Sequence, residues 1–259
     1  MWKRTVLPAY VLTVIAAMAT LLPTQAQAPP PAQATTPATA QSPSVDEIVA
    51  KHLATKGGAA KWKSIQSQKM TGSAVSQGFQ LAMTVYAKRP NLSRQELIIE
   101  VPGQPAMTIV NMFDGTKAWM INPMTGNPAP QAMPDEETAT AKAQSDFDGA
   151  LVDYKAKGYT VVLVEGGKLF GKPAHHLKVT RADLPTQHVY LDPETFVEMR
   201  VTTEGATASE TDLSDYKAVE GIMVPHNIKI SQSGAVVAEL RIGKVEFNVP
   251  MDDALFRIK

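Results

Sequence analysis

The sequence predicts a mainly β (α+β) fold, in which a strongly curved antiparallel sheet forms an unclosed half-barrel. Three observations support this prediction. From Phe79 onward, apolar and polar residues alternate with a period of two, which is the period of a half-buried strand. Turn signals separate these runs, and the chain lacks the alternation of strands and helices that builds a parallel sheet. A sheet of about ten or eleven strands rarely stays flat, so we expect helices to cover its concave side.

Residues 1–26 have the features of an export signal. Two basic residues near the start precede an uncharged apolar run, Val11–Leu22. This run is shorter than the roughly 20 residues that a membrane-spanning helix needs, so a cleaved signal peptide is favoured over an uncleaved anchor. Small residues allow cleavage after Ala26 or after Ala28. Cleavage after Ala26 is favoured, because the later site would place Pro29 directly after the cut bond.

The segment 27–44 consists of Pro, Ala, Gln, Thr and Ser and contains no charged residue. Such a stretch cannot bury enough apolar surface to offset the entropy lost on ordering, so it is predicted to be a disordered tether. The remaining residues, 45–259, are expected to form a single domain.

Charge and cysteine content exclude several classes of protein. The chain has 25 basic and 25 acidic residues, and loss of Lys3 and Arg4 with the signal peptide leaves 23 against 25. A nucleic-acid partner would require a strong basic excess, so none is expected. The absence of cysteine excludes a disulfide framework, a lipid-attachment cysteine and a cysteine-ligated metal. We therefore expect a soluble protein of the periplasm.

The folded part is predicted to begin with helices. Ser44 as N-cap and Glu47 three residues later form a capping box before an amphipathic helix, and Gly57-Gly58 ends it. A short second turn carries Trp62. The carboxylate clusters at 135–137 and 252–253 are expected to stabilise the N-termini of further helices.

One apolar strand face is predicted to line the concave side of the sheet. It consists of Phe79, Leu81, Met83 and Val85 on one strand and of Leu97, Ile99 and Val101 on the next. The other strands are expected at Met107–Phe113, Thr116–Ile121, Tyr159–Glu165, Leu169–Thr180, Gln187–Leu191, Phe196–Thr203, Thr207–Tyr216, Val224–Ser231 and Ala235–Phe247. In the last strand, apolar residues occupy the even positions up to Ile242 and the odd positions from Val245 onward. This change at Gly243-Lys244 predicts a β-bulge.

The segment 122–157 separates two series of strands. Four prolines between Asn122 and Pro134 predict a long loop, and 135–157 is predicted to be helical, in two pieces. This segment must leave the sheet and return, so it is expected to cover the apolar cavity. It acts either as a movable lid or as a fixed plug, and both interpretations stay open.

Methionine is concentrated before and within this segment. Met107, Met112, Met120, Met124 and Met133 fall within 27 residues. Methionine adapts to irregular partners and is over-used on promiscuous binding surfaces. Met107 is predicted to be an ordinary residue of the hydrophobic core. Met124 and Met133, together with Trp119, are predicted to line the ligand-binding cavity or its mouth.

No catalytic or metal-binding signature is present in the sequence. The patterns G-x-S-x-G, G-x-G-x-x-G and the P-loop do not occur. On a strand, His175 and His176 point to opposite faces, so they could share a metal only with a ligand from another strand. His52, His188 and His226 show no metal-binding spacing. We therefore expect no catalytic residue, no metal and no cofactor.

Several short motifs follow one another over 45–259, and none of them is a catalytic signature. They are Gly57-Gly58 with Trp62, Asp114-Gly115 with Trp119, Asp148–Leu151 with Tyr154, Gly171–Ala174, Tyr190–Asp192 with Thr195, Asp215-Tyr216 with Gly221 and Pro225, and Val245–Asn248 with Asp252–Phe256. In their order and spacing the chain resembles the LolA/LolB-like periplasmic carriers, described as outer-membrane lipoprotein-sorting proteins. Membership of this family would imply an unclosed curved sheet, helices on its concave side and an apolar cavity for acyl chains.

These observations favour a non-catalytic periplasmic carrier or binding protein for lipoprotein acyl chains, lipids or other hydrophobic ligands. The expected partners are a hydrophobic ligand and, in addition, a lipoprotein or another envelope protein, and a monomer is expected. An envelope sensor or scaffold with the same fold is the alternative. A secreted hydrolase whose site is assembled from distant carboxylates is a further alternative that the sequence favours less.

Overall fold

A computed structural model describes residues 43–258, apart from 77–78, 101–102, 104 and 206–207. The predicted signal peptide 1–26, nearly all of the predicted tether 27–44, and Val101 lie outside the described residues. Within the described range, no helix is long and apolar enough to cross a membrane.

Three α-helices and fifteen strands are formed within the described residues. The helices are α1 (Val45–Thr55), α2 (Ala59–Ser64) and α3 (Asp135–Gln144). The strands are β1 (Ser67–Ser76), β2 (Phe79–Lys88), β3 (Leu92–Ile99), β4 (Met107–Phe113), β5 (Ala118–Asn122), β6 (Asn127–Ala132), β7 (Thr160–Val164), β8 (Lys168–Leu169), β9 (Lys172–Pro173), β10 (His175–Arg181), β11 (Leu184–Leu191), β12 (Glu198–Thr203), β13 (Ser209–Val219), β14 (Ile222–Gln232) and β15 (Ala235–Phe247). Single 3-10 turns span Pro123–Thr125 and Asp253–Phe256.

Thirteen strands of the described chain form one antiparallel sheet, and β8 and β9 form a separate hairpin. The order in the large sheet is β6-β5-β4-β3-β2-β1-β15-β14-β13-β12-β11-β10-β7, so its edges, β6 and β7, do not pair. The predicted curved and unclosed half-barrel with helices on its concave side is confirmed. The capping box of Ser44 and Glu47 is also confirmed, since Ser44 Oγ accepts from the Glu47 amide and Glu47 accepts from the Ser44 amide.

Two strands of the large sheet were not predicted, and the predicted loop over 122–134 is wrong. Residues 127–132 form β6, an edge strand on which Pro128 and Pro130 are tolerated because one side of the strand needs no amide donors. The strand β1 lies between β2 and β15, although its sequence carries few large apolar residues. The predicted strand Leu169–Thr180 is divided into the β8–β9 hairpin and β10.

The predicted bulge in β15 is confirmed by the register of its pairing with β1. Thr71 lies opposite Lys244 and Gly72 lies opposite Ile242, so Gly243 has no partner of its own. The backbones approach closely here, because a Cβ on Gly72 would lie 2.0 Å from the carbonyl oxygen of Arg241. Glycine at position 72 therefore permits the irregular pairing that bends the sheet.

Helices and turns cover part of the concave face. Ile48 and Val49 of α1 pack on the strands near the β7 edge, in a cluster with Leu177, Val189 and Leu191. Trp62 of α2 belongs to a second cluster, which it shares with buried residues of β2, β14 and β15: Met83, Ile222, Val224, Ile242, Val245 and Phe247. Near the other edge, Ala141 of α3 packs with Phe113, Ala118 and Met133.

The segment after α3 is not the second helix that the sequence predicted. Residues 147–158 form consecutive turns, and we refer to 145–158 as the turn segment. Its Leu151 and Val152 are buried in the clusters of α1 and α2, respectively. The turn segment therefore fills the middle of the concave face, although glycines at 149 and 158 and the lack of a regular apolar period prevent a helix.

Candidate functional site

A cavity of about 330 Å³ lies between the turn segment, the ends of α1 and α2, and the concave face of the sheet. Strands β11, β12 and β14 contribute most of the wall on the sheet side. The apolar part of its lining consists of Trp62, Met70, Phe147, Ala150, Leu151, Val152, Val189, Val201, Ile222, Met223, Val224, Pro225, Ile228 and Phe247. The remaining lining residues are His52, Lys56, Gln68, Asp146, Asp148, Gly149, Gln187 and Glu198.

A second cavity of about 250 Å³ lies on the other side of the turn segment, beside the C-terminal half of α3. Its lining includes Thr140 and Gln144 of α3 and Leu184 of β11. Four residues line both cavities: Asp146, Gly149, Ala150 and Gln187. The turn segment thus separates two adjoining spaces, and a displacement of this segment would join them.

An ion pair fixes the turn segment to the loop that follows β2. The guanidinium of Arg89 donates to both carboxylate oxygens of Asp148, at 2.8 and 2.6 Å, and both side chains are largely buried. The same guanidinium donates to the carbonyl oxygens of Ile65 and Trp62, and it lies over the ring of Phe147. Hydrogen bonds from Arg89 lower the pKa of Asp148, so this carboxylate is charged at neutral pH.

His52 is the buried titratable side chain of the cavity wall. Its Nδ1 lies 3.0 Å from the carbonyl oxygen of Phe196, and because a carbonyl can only accept, Nδ1 carries the proton of this hydrogen bond. Its Nε2 lies 3.4 Å from Oε1 of Glu198. Burial lowers the pKa of His52, and the charge of Lys56 acts in the same direction, whereas Glu198 opposes the shift.

Comparison with known proteins reveals similarity of fold. No family model matches the sequence, and no curated protein matches it significantly. A DUF1329 family protein from Desulfovibrio piger superimposes with a TM-score of 0.56 at 11 % identity, over 82 % of this chain and 97 % of that chain. A LolA superfamily protein from Nitrosomonas europaea gives a TM-score of 0.53 at 11 % identity, with the same coverage. The chain has a LolA-like fold.

In this LolA-like fold, five of the ten residues predicted to line the cavity share the concave face. Leu81 and Ile99 are buried in a cluster made of strand residues, and Leu97 packs against it. Met83 is buried with Trp62 and Phe247, which line the cavity of about 330 Å³, and Val85 packs on the same cluster. The lining of that cavity within the described residues contains none of the ten, so the predicted strand face adjoins the cavity without forming its wall.

Four of the other predicted residues lie elsewhere in the structure. Trp119 is on the opposite face, since it pairs with Met112 in the cluster around Phe256, and its Nε1 donates to Asp114. Met124 lies in an exposed 3-10 turn and Phe79 is exposed near the tip of the β1–β2 hairpin. Met133 is buried under α3. The tenth residue, Val101, lies outside the described residues.

The wall residues that sequence analysis missed lie mainly on β12, β14 and the turn segment. Val201 lies between the polar residues Arg200 and Thr202, as half-buried strand residues do, whereas Val224 lies between Met223 and Pro225. Neither pattern indicates which strands face the same cavity. Asp148 and Leu151 belong to one of the motifs that carry the family resemblance. Arg89 has no sequence signal, because its role depends on contacts with two distant segments, the end of α2 and the turn segment.

Two of the histidines, His176 and His188, contact each other outside the cavity. His175 and His176 point to opposite faces, as predicted: His175 stacks on Phe196, and His176 stacks on Tyr190. The Nε2 of His176 lies 2.7 Å from Nδ1 of His188, whose Nε2 lies 2.7 Å from Glu204. Within the part of the chain that the structure describes, no group of three or more His, Asp or Glu side chains is arranged to hold a metal ion.

Proposed function

We propose that this protein is a non-catalytic periplasmic carrier or binding protein for a hydrophobic ligand with an acyl chain. The observation that carries this proposal is the cavity of about 330 Å³, whose wall is formed mostly by apolar side chains of the turn segment and the concave face. Ligand sites in proteins are concave and mostly apolar, with a few polar groups that orient the ligand. His52, Gln187 and Glu198 are polar groups of this kind.

The ligand is proposed to extend from the cavity along the predicted strand face. Met83 and Val85 share one apolar cluster with Trp62, Val152 and Phe247 of the cavity wall. An acyl chain that displaced Val152 would reach Met83 without leaving apolar surroundings. Beyond Met83, the ligand would meet Leu81, Leu97 and Ile99, which form the neighbouring cluster. A carrier with this arrangement needs a segment that moves, and the turn segment is the element that covers the cavity on the side opposite the sheet.

The location of the protein is part of the proposal. Residues 1–26 would direct export to the periplasm, and 27–44 would connect the cleavage site to a single folded domain, 45–259. The LolA-like fold is consistent with that location. Sequencing of the mature N-terminus tests this step: a start at Gln27 is expected, whereas an intact Met1 in the membrane fraction would contradict it.

The ligand is tested first by native mass spectrometry and lipid extraction of the exported protein, purified from the periplasm without detergent. Co-purified acyl species are expected. If the cavity is empty and the protein binds no fluorescent fatty acid, the carrier proposal fails, and a sensor or scaffold that binds an envelope protein becomes the better interpretation.

A pair of substitutions tests the position of the ligand. Ile228→Asp places a carboxylate in the cavity wall, and an unpaired charge in an apolar cavity costs several kcal/mol. Val162→Asp places the same carboxylate at an exposed position of β7, outside the cavity lining. Fluorescent fatty acid should bind about tenfold or more weakly to the first variant and normally to the second. Equal binding by both variants would exclude this cavity as the ligand site.

A further inference from the structure

The β8–β9 hairpin reaches across the outer face of the sheet, opposite the cavity. Val201 of β12 lines the cavity, so its neighbour Arg200 points to the other face of the same strand. The Cζ atom of Arg200 lies 4.5 Å from the centroid of the Phe170 ring, at the tip of the hairpin. The tip of the hairpin is therefore on a surface that the proposed ligand site does not use.

Phe170 has a backbone conformation that is unfavourable for its side chain. Leu169 lies opposite Lys172, so Phe170 and Gly171 are the two central residues of the turn, and their φ angles are 51° and 79°. Hairpin turns in which both central residues have positive φ favour Asn, Asp or Gly at the first position, because a bulky side chain is strained there. Phenylalanine at position 170 therefore costs stability that asparagine would not cost.

Burial does not compensate for this strain. Phe170 is 74 % exposed, which is the largest exposed fraction among the large apolar side chains of the described chain. Phe196 is the other described phenylalanine with a positive φ, but it packs on the core cluster of α1 and stacks on His175. The guanidinium of Arg200 is already held by Asp212, through two hydrogen bonds. A strained backbone at a side chain that the core does not bury points to a functional role, and exposed aromatic side chains are frequent anchors of protein interfaces.

The hairpin is also positively charged. Lys168 and Lys172 are exposed and lie two residues before and two residues after Phe170. The sequence contains no acidic residue from Gly166 to Ala182. An exposed aromatic side chain between two cations is complementary to a surface that has an apolar centre and an acidic rim.

The charges beside the hairpin favour a protein partner over a lipid bilayer. Glu204 and Glu210 lie on the same outer face, where their carboxylates contact His188 and Arg200, and their side chains are 55 % and 49 % exposed. A flat anionic bilayer that approached Phe170 would also approach these carboxylates, and like charges repel. A protein surface can place its acidic groups against the hairpin alone.

We propose that the tip of the β8–β9 hairpin is a docking site for an acidic surface of another protein. Phe170 is the apolar anchor of this site, and Lys168 and Lys172 provide its charged contacts. The docking site is independent of the proposed function, because the hairpin and the cavity are on opposite faces of the sheet.

Phe170→Asn separates docking from folding. Asparagine tolerates positive φ, so this variant is expected to unfold at the same temperature as the wild type or at a higher one, while it loses the anchor. A lower melting temperature would show that Phe170 stabilises the fold through its contact with Arg200, and it would overturn the docking role.

Photo-crosslinking in the bacterium that produces the protein identifies the partner. The photoreactive residue p-benzoylphenylalanine replaces Phe170 in one variant, and in the control it replaces Met124, which is exposed near the opposite edge of the sheet. An adduct with one other protein is expected at position 170 and not at position 124. Absence of a protein adduct, an adduct with lipid or with a second copy alone, or the same adduct at both positions would overturn the proposal.

Charge reversal tests the chemistry of the partner. Lys168→Glu with Lys172→Glu should abolish the adduct, whereas Lys117→Glu with Lys142→Glu, which makes the same change of net charge at exposed positions outside the hairpin, should leave it unchanged. With the crosslinked protein purified, affinity should fall about tenfold or more in Phe170→Asn, and wild-type affinity should fall as salt rises. An adduct that the hairpin charge reversal does not weaken, or an affinity that Phe170→Asn does not change, would contradict docking through this hairpin.

Discussion

Lys157 ties the two ends of the turn segment together: its Nζ donates to a carboxylate oxygen of Asp146 at 2.6 Å and to the carbonyl oxygen of Gly149 at 2.9 Å. The middle of the segment is anchored differently, since Val152 is buried among apolar side chains. Arg89 and Asp148 add the link to the sheet. The polar contacts thus close the segment on itself at the rim of the cavity, while apolar contacts hold it on the concave face.

Removal of Arg89 is expected to loosen the turn segment and to destabilise the protein. Arg89→Met leaves the largely buried carboxylate of Asp148 without its partner, which should lower the free energy of unfolding by about 2–4 kcal/mol in urea titrations. Arg181→Gln breaks an exposed ion pair with Asp183 and should change stability little. Equal stability of Arg89→Met and the wild type would show that the ion pair does not anchor the segment.

The ion pair of Arg89 and Asp148 also predicts how the stability of the protein changes at low pH. The pKa of Asp148 is lowered from 3.8 in the folded state. Its contribution to the free energy of unfolding is therefore complete above about pH 3.8 and is lost as the pH falls through the folded-state pKa. Asp148→Asn should therefore weaken the acid dependence of unfolding below pH 4. A stability curve as steep as that of the wild type in this range would contradict the prediction.

His52 predicts a second dependence on pH, at higher values. Its folded pKa lies below 6.5, so below this pH the unfolded chain binds more protons and stability falls, by at most about 1.4 kcal/mol per pH unit for one group. His52→Gln keeps a donor for the carbonyl of Phe196 and should flatten the curve between pH 6.5 and 5. The pKa values of His175 and His176 are also lowered by burial, so part of the slope should remain. An unchanged slope in His52→Gln would mean that His52 titrates normally.

The two glycines at the β1–β15 bulge are expected to differ in their tolerance of a methyl group. A Cβ on Gly72 would lie 2.0 Å from the carbonyl oxygen of Arg241, whereas a Cβ on Gly243 would meet the carbonyl oxygen of Thr71 at an ordinary 3.5 Å. Gly72→Ala should therefore destabilise the protein by about 1–3 kcal/mol, and Gly243→Ala should cost less than about 1 kcal/mol. Thermal unfolding of both variants measures the difference, and equal melting temperatures would refute the close approach.

The alternation of side chains was sufficient to predict the curved sheet, the face that carries Met83 and the bulge at Gly243. It was not sufficient for β1, whose few large apolar side chains give no clear period, or for β6, which is stabilised as an edge strand by pairing with β5. The faces of Trp119 and Met83 differ because of pairing between distant strands, and local sequence does not encode this register. The cavity wall was missed for the same reason, since Trp62, Val201 and Val224 meet only in the folded chain.

Hydrogen exchange should show that the turn segment is a movable cover. The ion pair that links it to α1 is exposed, since Lys155 donates to Asp46, whereas the Tyr154 hydroxyl that donates to the same carboxylate belongs to a buried side chain. Exposed ion pairs contribute little, and consecutive turns without a regular hydrogen-bond ladder open at low cost. Against this, Leu151 and Val152 are buried, and a cover must expose them when it opens.

We expect the amides of 147–157 to exchange rapidly in the free protein and to become protected when a fatty acid binds, because the ligand supplies the apolar contacts that Val152 would otherwise lose. The amides of α1 should be protected equally in both states, which provides the control within the same chain. Strong protection of 147–157 that does not change with ligand would identify the segment as a fixed plug. A ligand would then have to enter along the concave face from the side of Leu81, without movement of the turn segment.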